Sequence, residues 1–337
     1  MELSRRNFVL KSSLAVAGIS FAANADLQAI ESLRTNAGKI WLRGNQDQES
    51  FKISVFSKTL HWLDVPEMAS RMAGMGFDGI DLTVRPKGHV LPERVEEDLP
   101  KAVEAAKREG IGIYTIVTSI DNADDPLSER ILKTASSLGI KHYRMGWLYY
   151  DENKTIDENL VIIQTVMSQL AVLNEKYQIR GEYQNHSGKF TPHSYFGSSI
   201  WDLYSVLNNI NSPWLGSQYD IMHATVEGAY SWETNFKQLN RFVHSINFKD
   251  FYWLKKQNKW APELVPLGKG MVDFTKYLGL LKEFKISCPV SIHYEYQYGR
   301  VDSDDQPTAM EKEKTLSALK NDLQTLKRYF RESNLES

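Results

Sequence analysis

Apolar and polar positions in this chain alternate with two periods, and the switch between them recurs eight times after residue 50. Segments 51–56, 77–84, 111–119 and 140–147 read with period two, which sends successive side chains to opposite faces of a strand. Each is followed by a segment of helical period: 66–75, begun by Asp64 and closed by Gly76, then 92–110, 126–139 and 156–177. The second half repeats the rhythm, with strands at 180–184, 215–221, 243–248 and 290–296 and helices at 199–209, 232–242, 274–284 and 309–330. Strands that alternate with helices imply a parallel sheet, because parallel neighbours need a crossover connection. Eight such units predict an α/β fold, a closed (β/α)8 TIM barrel forming a single domain over residues 49–335. A doubly wound open sheet is the competing arrangement. For a dinucleotide it would need a glycine-rich first turn, and Ser57-Lys58-Thr59-Leu60 contains no glycine.

The N-terminus departs from this rhythm. Ser4-Arg5-Arg6-Asn7-Phe8-Val9 with Lys11, the weakly apolar segment 14–22 and Ala23-Asn24-Ala25 resemble a twin-arginine export signal over residues 1–25. The resemblance implies passage of the folded chain through the twin-arginine export machinery to the periplasm or beyond. The apolar segment is too short and polar to span a bilayer, so no membrane insertion is expected. Residues 26–48 are polar without period and read as a linker or loose arm.

Composition narrows the function. The chain has 337 residues, 42% hydrophobic and 24% charged, and its 40 basic and 42 acidic residues give a net charge of -2 without runs of like charge. That balance argues against nucleic-acid partners or a membrane surface. Cys288 is the single cysteine, so no internal disulfide forms. Eight Trp and sixteen Tyr supply rings for the core or for stacking on sugars.

The chemistry gathers at strand ends. Gly181-Glu182-Tyr183-Gln184-Asn185-His186 closes the fifth strand with a density of polar groups that a solvated loop does not need. Later strands end at Asp220, at Asn247 with Lys249 and Asp250, and at Glu295. Barrel enzymes build their sites at the C-terminal ends of strands. Alternation puts Asn247 and Lys249 on one face, and Ser291, His293 and Glu295 on one face. Three carboxylates brought together would repel unless a divalent ion or Lys249 neutralised them, and an oxygen-rich set suits Mg²⁺ or Mn²⁺ better than a structural zinc site. Lys249 and Asp250 have a simpler reading as a salt bridge closing the strand end.

Glu182-x-x-Asn185-His186, Asp220-x-x-His223, Asn247-Phe248-Lys249-Asp250 and Glu295, with the glycine loop Pro266-Leu267-Gly268-Lys269-Gly270, resemble the xylose isomerase-like TIM-barrel family of sugar isomerases and epimerases from about residue 50 to 330. The resemblance implies one divalent ion (Mn, Mg, Co or Zn) on a Glu, an Asp, a His and a Glu, and proton transfer by the two Glu. Carried over, the metal set is Glu182, Asp220, Asn247 and Glu295 and the proton-transfer pair is Glu182 and Glu295; Lys249 joins the catalytic set from its own place at the strand end, as the charge of the metal-free alternative. Asn185, His186 and His223 match substrate-contacting positions, and Arg144 on the fourth strand joins them as a sugar-binding candidate. The family's His falls on Asn247, a weaker ligand than imidazole for transition metals. Either a harder ion is held by three carboxylates and Asn247, or Lys249 supplies the charge without metal.

The implied reaction is proton abstraction beside the carbonyl of a ketose or keto-glycoside through a stabilised enediolate, leading to isomerisation or epimerisation. A keto-glycoside lyase or hydratase would share the first step, and no basic cluster for a phosphate is evident in the sequence. A non-catalytic sugar-binding barrel is the alternative of a different class. The superfamily's zinc-dependent DNA-repair endonucleases need many His ligands and a basic face, which eight scattered His and a charge of -2 do not provide. The partner is a small carbohydrate. A homo-oligomer is compatible with the sequence, and Trp-rich segment 251–260 reads equally as lid, dimer contact or core.

Overall fold

The structure, a computed structural model, describes residues 51–188, 195–296 and 307–335. The export signature, residues 26–48 and His193 lie outside them. Seven strands follow one another in parallel: β1 (Ile53–Phe56), β2 (Gly79–Thr83), β3 (Gly112–Val117), β4 (His142–Arg144), β5 (Arg180–Gln184), β6 (Leu215–Asp220) and β7 (Val243–Phe248). An antiparallel hairpin of β8 (Asp250–Lys256) and β9 (Lys259–Val265) comes next, and β10 (Val290–Ile292) then closes the barrel between β7 and β1. The helices are α1 (Val65–Met75), α2 (Val95–Arg108), α3 (Pro126–Ser137), α4 (Ile156–Tyr177), α5 (Ile200–Ile210), α6 (Ile221–Gly228), α7 (Trp232–Leu239), α8 (Phe274–Glu283) and α9 (Ala309–Glu332).

Local chemistry accounts for the helix starts. Asp64 accepts from the Glu67 amide at 2.8 Å ahead of α1, while Thr155 with Glu158 and Thr308 with Glu311 form capping boxes ahead of α4 and α9. Each cap satisfies amides that the first turn leaves without partners, worth about 1 kcal/mol.

The apolar core lies between the barrel and its helices. Val55, Ile80, Leu82, Ile116, Tyr183, Tyr219, Ile246, Phe248 and Ile292 are at most 1% exposed. Phe248 shows the packing: its ring meets Phe274 at 5.6 Å, Tyr277 at 5.8 Å and Phe330 at 6.0 Å.

The barrel interior is polar instead. Ser291 on β10 donates to Asp81 on β2 at 2.8 Å, and Ser245 on β7 donates to Glu182 on β5. Each bond skips an intervening strand, which only side chains inside the ring can do. His142 also donates to Glu182, Gln184 donates to Asp220 at 2.9 Å, and Asn247 donates to Gln218 at 2.9 Å. TIM barrels usually fill this space with branched apolar side chains. Here a hydrogen-bonded network fills it, and such networks rigidify when their groups are paired.

Two segments differ from the sequence reading. The 251–260 stretch is part of the hairpin: Gln257 and Asn258 at its tip both have positive φ, 48° and 61°, as a two-residue hairpin turn requires. Trp253 and Trp260 are exposed there, which removes the core reading for both. Helix α6 starts directly after β6, ahead of the helix expected at 232, because Asp220 caps it by accepting from the His223 amide at 3.2 Å. That cap places His223 in the first turn, beside the strand end.

Candidate active site

The C-terminal strand ends surround a cleft of about 190 Å³ lined by polar, charged and aromatic side chains. It is smaller than the ~300–1,000 Å³ of pockets for drug-sized ligands, in keeping with a single sugar ring. A larger cleft of about 590 Å³ lies between β9 and α9, but among the described residues its charged lining groups are Glu263 and Lys314 alone, and none of the strand-end groups named above lines it.

Lys249, at the end of β7, stands at the centre. Its ammonium donates to Asp220 Oδ2 at 3.1 Å, Glu295 Oε2 at 2.9 Å and His223 Nε2 at 3.0 Å, so all three N–H groups are used. Burial works against its charge, yet Asp220 and Glu295 outweigh burial and raise its pKa. Burial would raise Glu295, but the charges of Lys249 and Lys58 reverse this and hold its carboxyl well below the usual range. Lys58 completes a chain of alternating charge by meeting Glu295 Oε1 at 3.1 Å.

The imidazoles around this chain are neutral. Burial, then Lys249, pushes His223 well below its ordinary pKa. With Nε2 accepting from Lys249, its Nδ1 carries the proton, toward Ser187 Oγ at 3.1 Å. His186 packs against His223, ring centroids 3.8 Å apart, and burial, His223 and Lys249 lower it to about 2. Its ring lines the cleft with Trp147 and Tyr195, at 5.0 and 5.4 Å. Below them His293 stacks on Phe56 at 4.3 Å.

Among the residues singled out from sequence, Lys249, Glu295, His186 and Arg144 line the cleft, and Asp220 and His223 lie directly behind Lys249. Glu182 does not line it. Fully buried one residue pair below Gln184, it has its two oxygens engaged by His142 and Ser245. Asn185 exchanges two hydrogen bonds with the Asp220 backbone, at 2.8 and 3.0 Å, and fixes the ends of β5 and β6 rather than facing the cleft. Asp250 does not pair with Lys249. Its carboxylate accepts from the amides of Phe251, Gly268, Gly270 and Val272 and holds the glycine loop. His61 and His89 stack on each other outside the cleft, at 4.4 Å.

The carried-over metal set fails a direct test of fit. Asp220 and Glu295 converge, but the point between them holds the Lys249 ammonium. Glu182 is tied off below, and fully buried Asn247 donates its amide to Gln218 and leaves its Oδ1 without a hydrogen-bond partner among the described residues. Among the described residues no three His, Cys, Asp or Glu side chains gather as ligands. The residues present do not suit a divalent ion there.

Sequence reasoning gave no site role to the polar lining groups Lys58, Arg85, Gln184 and His293, nor to the rings of Phe56, Trp147 and Tyr195. Alternation could have found two. Gln184 shares the inward face of Glu182, and Arg85 continues the inward series Asp81, Thr83 past the end of β2.

Fold and site together define a (β/α)8 barrel with charged side chains gathered at its strand ends. A family model, the xylose isomerase-like TIM barrel, matches residues 69–321, and the chain belongs to that family. It is similar in fold to the 3-keto-D-glucoside 4-epimerase of E. coli, with 13% identity, TM-score 0.59 and coverage of 80% of this chain and 98% of that one. D-Allulose 3-epimerase from Methylomonas sp. shares 14% identity, with TM-score 0.61 and coverage of 83% and 98%. A probable 3-DHS dehydratase from Bacillus anthracis shares 13%, with TM-score 0.60 and coverage of 80% and 98%. No curated protein matches the sequence.

Proposed function

We propose that this chain is a sugar isomerase- or epimerase-like enzyme that removes the proton beside a substrate carbonyl, with Glu295 as base and the Lys249 ammonium as the charge stabilising the enediolate. The ammonium between Asp220 and Glu295 carries this reading. As the proton leaves carbon, negative charge grows on the carbonyl oxygen, and a fixed cation in a site shielded from water lowers the energy of that state. Of the three groups on Lys249, neutral His223 is the weakest acceptor, so its bond is the one the ammonium gives up as it turns toward a charged oxygen in the cleft. The same ammonium keeps Glu295 ionised at neutral pH and offsets its weakness as a base by acidifying the carbon it attacks. His186 and the Trp147 and Tyr195 rings offer hydrogen bonds and stacking faces to a hydroxylated ring. The likeness to two sugar epimerases supports a carbohydrate as substrate.

One observation favours elimination or hydration as a second reading. Among the described residues lining the cleft, Glu295 is the only carboxylate. One base suffices to remove a proton and expel a group from the next carbon, whereas epimerisation must return the proton from the other face. A keto-glycoside suits this chemistry and suits an exported protein. Export itself is part of the proposal: changing Arg5 and Arg6 together to Lys is expected to retain the protein in the cytoplasm, read by cell fractionation.

The test is proton exchange in D₂O, followed by NMR, with 2-keto and 3-keto sugars. Deuterium is expected to enter beside the carbonyl with the wild-type protein and not with Glu295→Gln. Binding without exchange in the wild type would leave a sugar-binding barrel. The products separate epimer from elimination.

A further inference from the structure

Two guanidinium groups stand in the cleft and feel the charges of Glu295 and Asp81, but among the described residues neither has a carboxylate within ion-pair distance. Arg85 follows β2 and Arg144 ends β4, and each lies 5.9 Å from the centroid of the Phe56 ring. Arg144 also sits 4.9 Å from the Trp147 ring. It is 5% exposed; its Nη1 donates to Gln184 Oε1 at 3.0 Å, while its Nε has no hydrogen-bond partner among the described residues. Among the described residues no ion pair joins either guanidinium to a carboxylate.

The neighbouring acids are committed elsewhere. Glu295 lies between Lys249 and Lys58, Asp220 takes Lys249 and Gln184, and Asp81 accepts from Ser291. Lys58, Glu295, Lys249 and Asp220 cancel one another in charge. That leaves two Arg against Asp81, whose own ionisation is suppressed by burial. The two guanidiniums also repel each other, and burial disfavours the charge of both. Buried charge is stable when paired, so an anion from outside would supply what this corner lacks.

We propose that Arg85 and Arg144 bind an anionic substituent of the substrate, a carboxylate or a phosphate, so that the sugar processed in this cleft is a sugar acid or sugar ester rather than a neutral sugar. The inference rests on reading the cleft as the substrate site. Guanidinium forks match the paired oxygens of both groups, and the Phe56 and Trp147 rings hold the forks in place while keeping water from their faces.

Calorimetric titration with D-glucuronate, D-glucose 6-phosphate and D-glucose tests this on the wild type, Arg85→Gln, Arg144→Gln and Glu295→Gln. At low salt at least one anion is expected to bind about 10-fold or more tightly than glucose. The preference is expected to vanish in Arg85→Gln, whose half-buried position beyond the end of β2 spares the fold, and in Arg144→Gln if circular dichroism shows it folded. The tighter anion identifies carboxylate or phosphate. No binding by either anion, or a preference unchanged in Arg85→Gln, overturns the proposal. Glu295→Gln is expected to keep the preference. Should the D₂O exchange fail while that preference holds, the proton-transfer reading falls and the anion site stands.

Discussion

Lys249 Nζ lies 2.9 Å from Glu295 Oε2, and this contact joins the base of the cleft to its cation. With Asp220 at 3.1 Å on the other side, the ammonium sits where the family resemblance would put a divalent ion. Catalysis by the wild type is therefore expected to survive exhaustive dialysis against chelator. Lys249→Ala is expected to lose about 10²–10³ in kcat, the effect of removing one preorganised donor, about 2.7–4 kcal/mol. Added methylammonium should restore part of that loss. A chelated wild type that regains activity only with Mn²⁺ would sink the assignment.

Asp81 gives the barrel interior a pH dependence. Burial, against the Ser291 hydrogen bond and the Arg144 charge, raises its pKa from 3.8 to about 7. An acid whose folded-state pKa is raised holds its proton more tightly when folded. Its contribution to stability is therefore full below about pH 4 and declines as pH rises toward 7. Asn at this position still accepts from Ser291 but does not titrate. The stability of Asp81→Asn relative to wild type should rise between pH 4 and 7, by up to about 1.4 kcal/mol per pH unit. Urea unfolding at pH 4.5, 6 and 7.5 measures it, and a flat difference would refute it.

Glu182 and Glu295 are expected to respond differently to the same substitution. Glu182→Gln disturbs bonds to both His142 and Ser245 in a fully buried place, which costs about 1–3 kcal/mol of stability. Glu295→Gln should abolish turnover with a smaller change in the urea midpoint. Parallel urea melts and steady-state rates on the two variants decide the matter. Turnover lost in Glu182→Gln without loss of stability would return that residue to the chemistry.

Gly270 is expected to tolerate no side chain. A Cβ there would lie 2.1 Å from Asp250 Oδ1 and 2.3 Å from the Phe251 carbonyl, while Gly268 has φ of +77°. Gly268→Ala brings about 1–2 kcal/mol of left-handed backbone strain and a contact with the Tyr329 hydroxyl, the far end of a side chain that can shift, whereas Gly270→Ala is the larger because its Cβ meets backbone and opens the Asp250 hydrogen bonds. Thermal unfolding of the two variants gives the order, and an unshifted midpoint for Gly270→Ala would contradict it.

The barrel was readable because each level of pattern agreed: period two, then a cap, then a helical period. Asp220, Lys249, Glu295, His186 and Arg144 were readable as strand-end polar groups. Depth inside the ring was not. Alternation puts Glu182 and Gln184 on the same face, and which one reaches the cleft depends on stagger between strands, here Glu182 beside Gly216 and Gln184 beside Gln218. One residue pair of stagger exchanges a base for a buried hydrogen-bond acceptor. The guanidiniums were hidden for a related reason, since Arg85 and Arg144 are 59 positions apart and only the inward curl of β1 to β4 brings them to one ring.

The hairpin of β8 and β9 leaves the chain at Asp250 and returns beside it at Val265, its register partner. Asp250 then fastens the return path through the Gly268, Gly270 and Val272 amides. An insertion whose ends already meet adds little closure entropy, whatever its length. Selection can therefore lengthen, shorten or replace this outgrowth, with its exposed Trp253 and Trp260, while the eight-strand ring keeps its stagger. The molecule's chemistry and its outward reach are separately heritable, and descendants can change one without renegotiating the other.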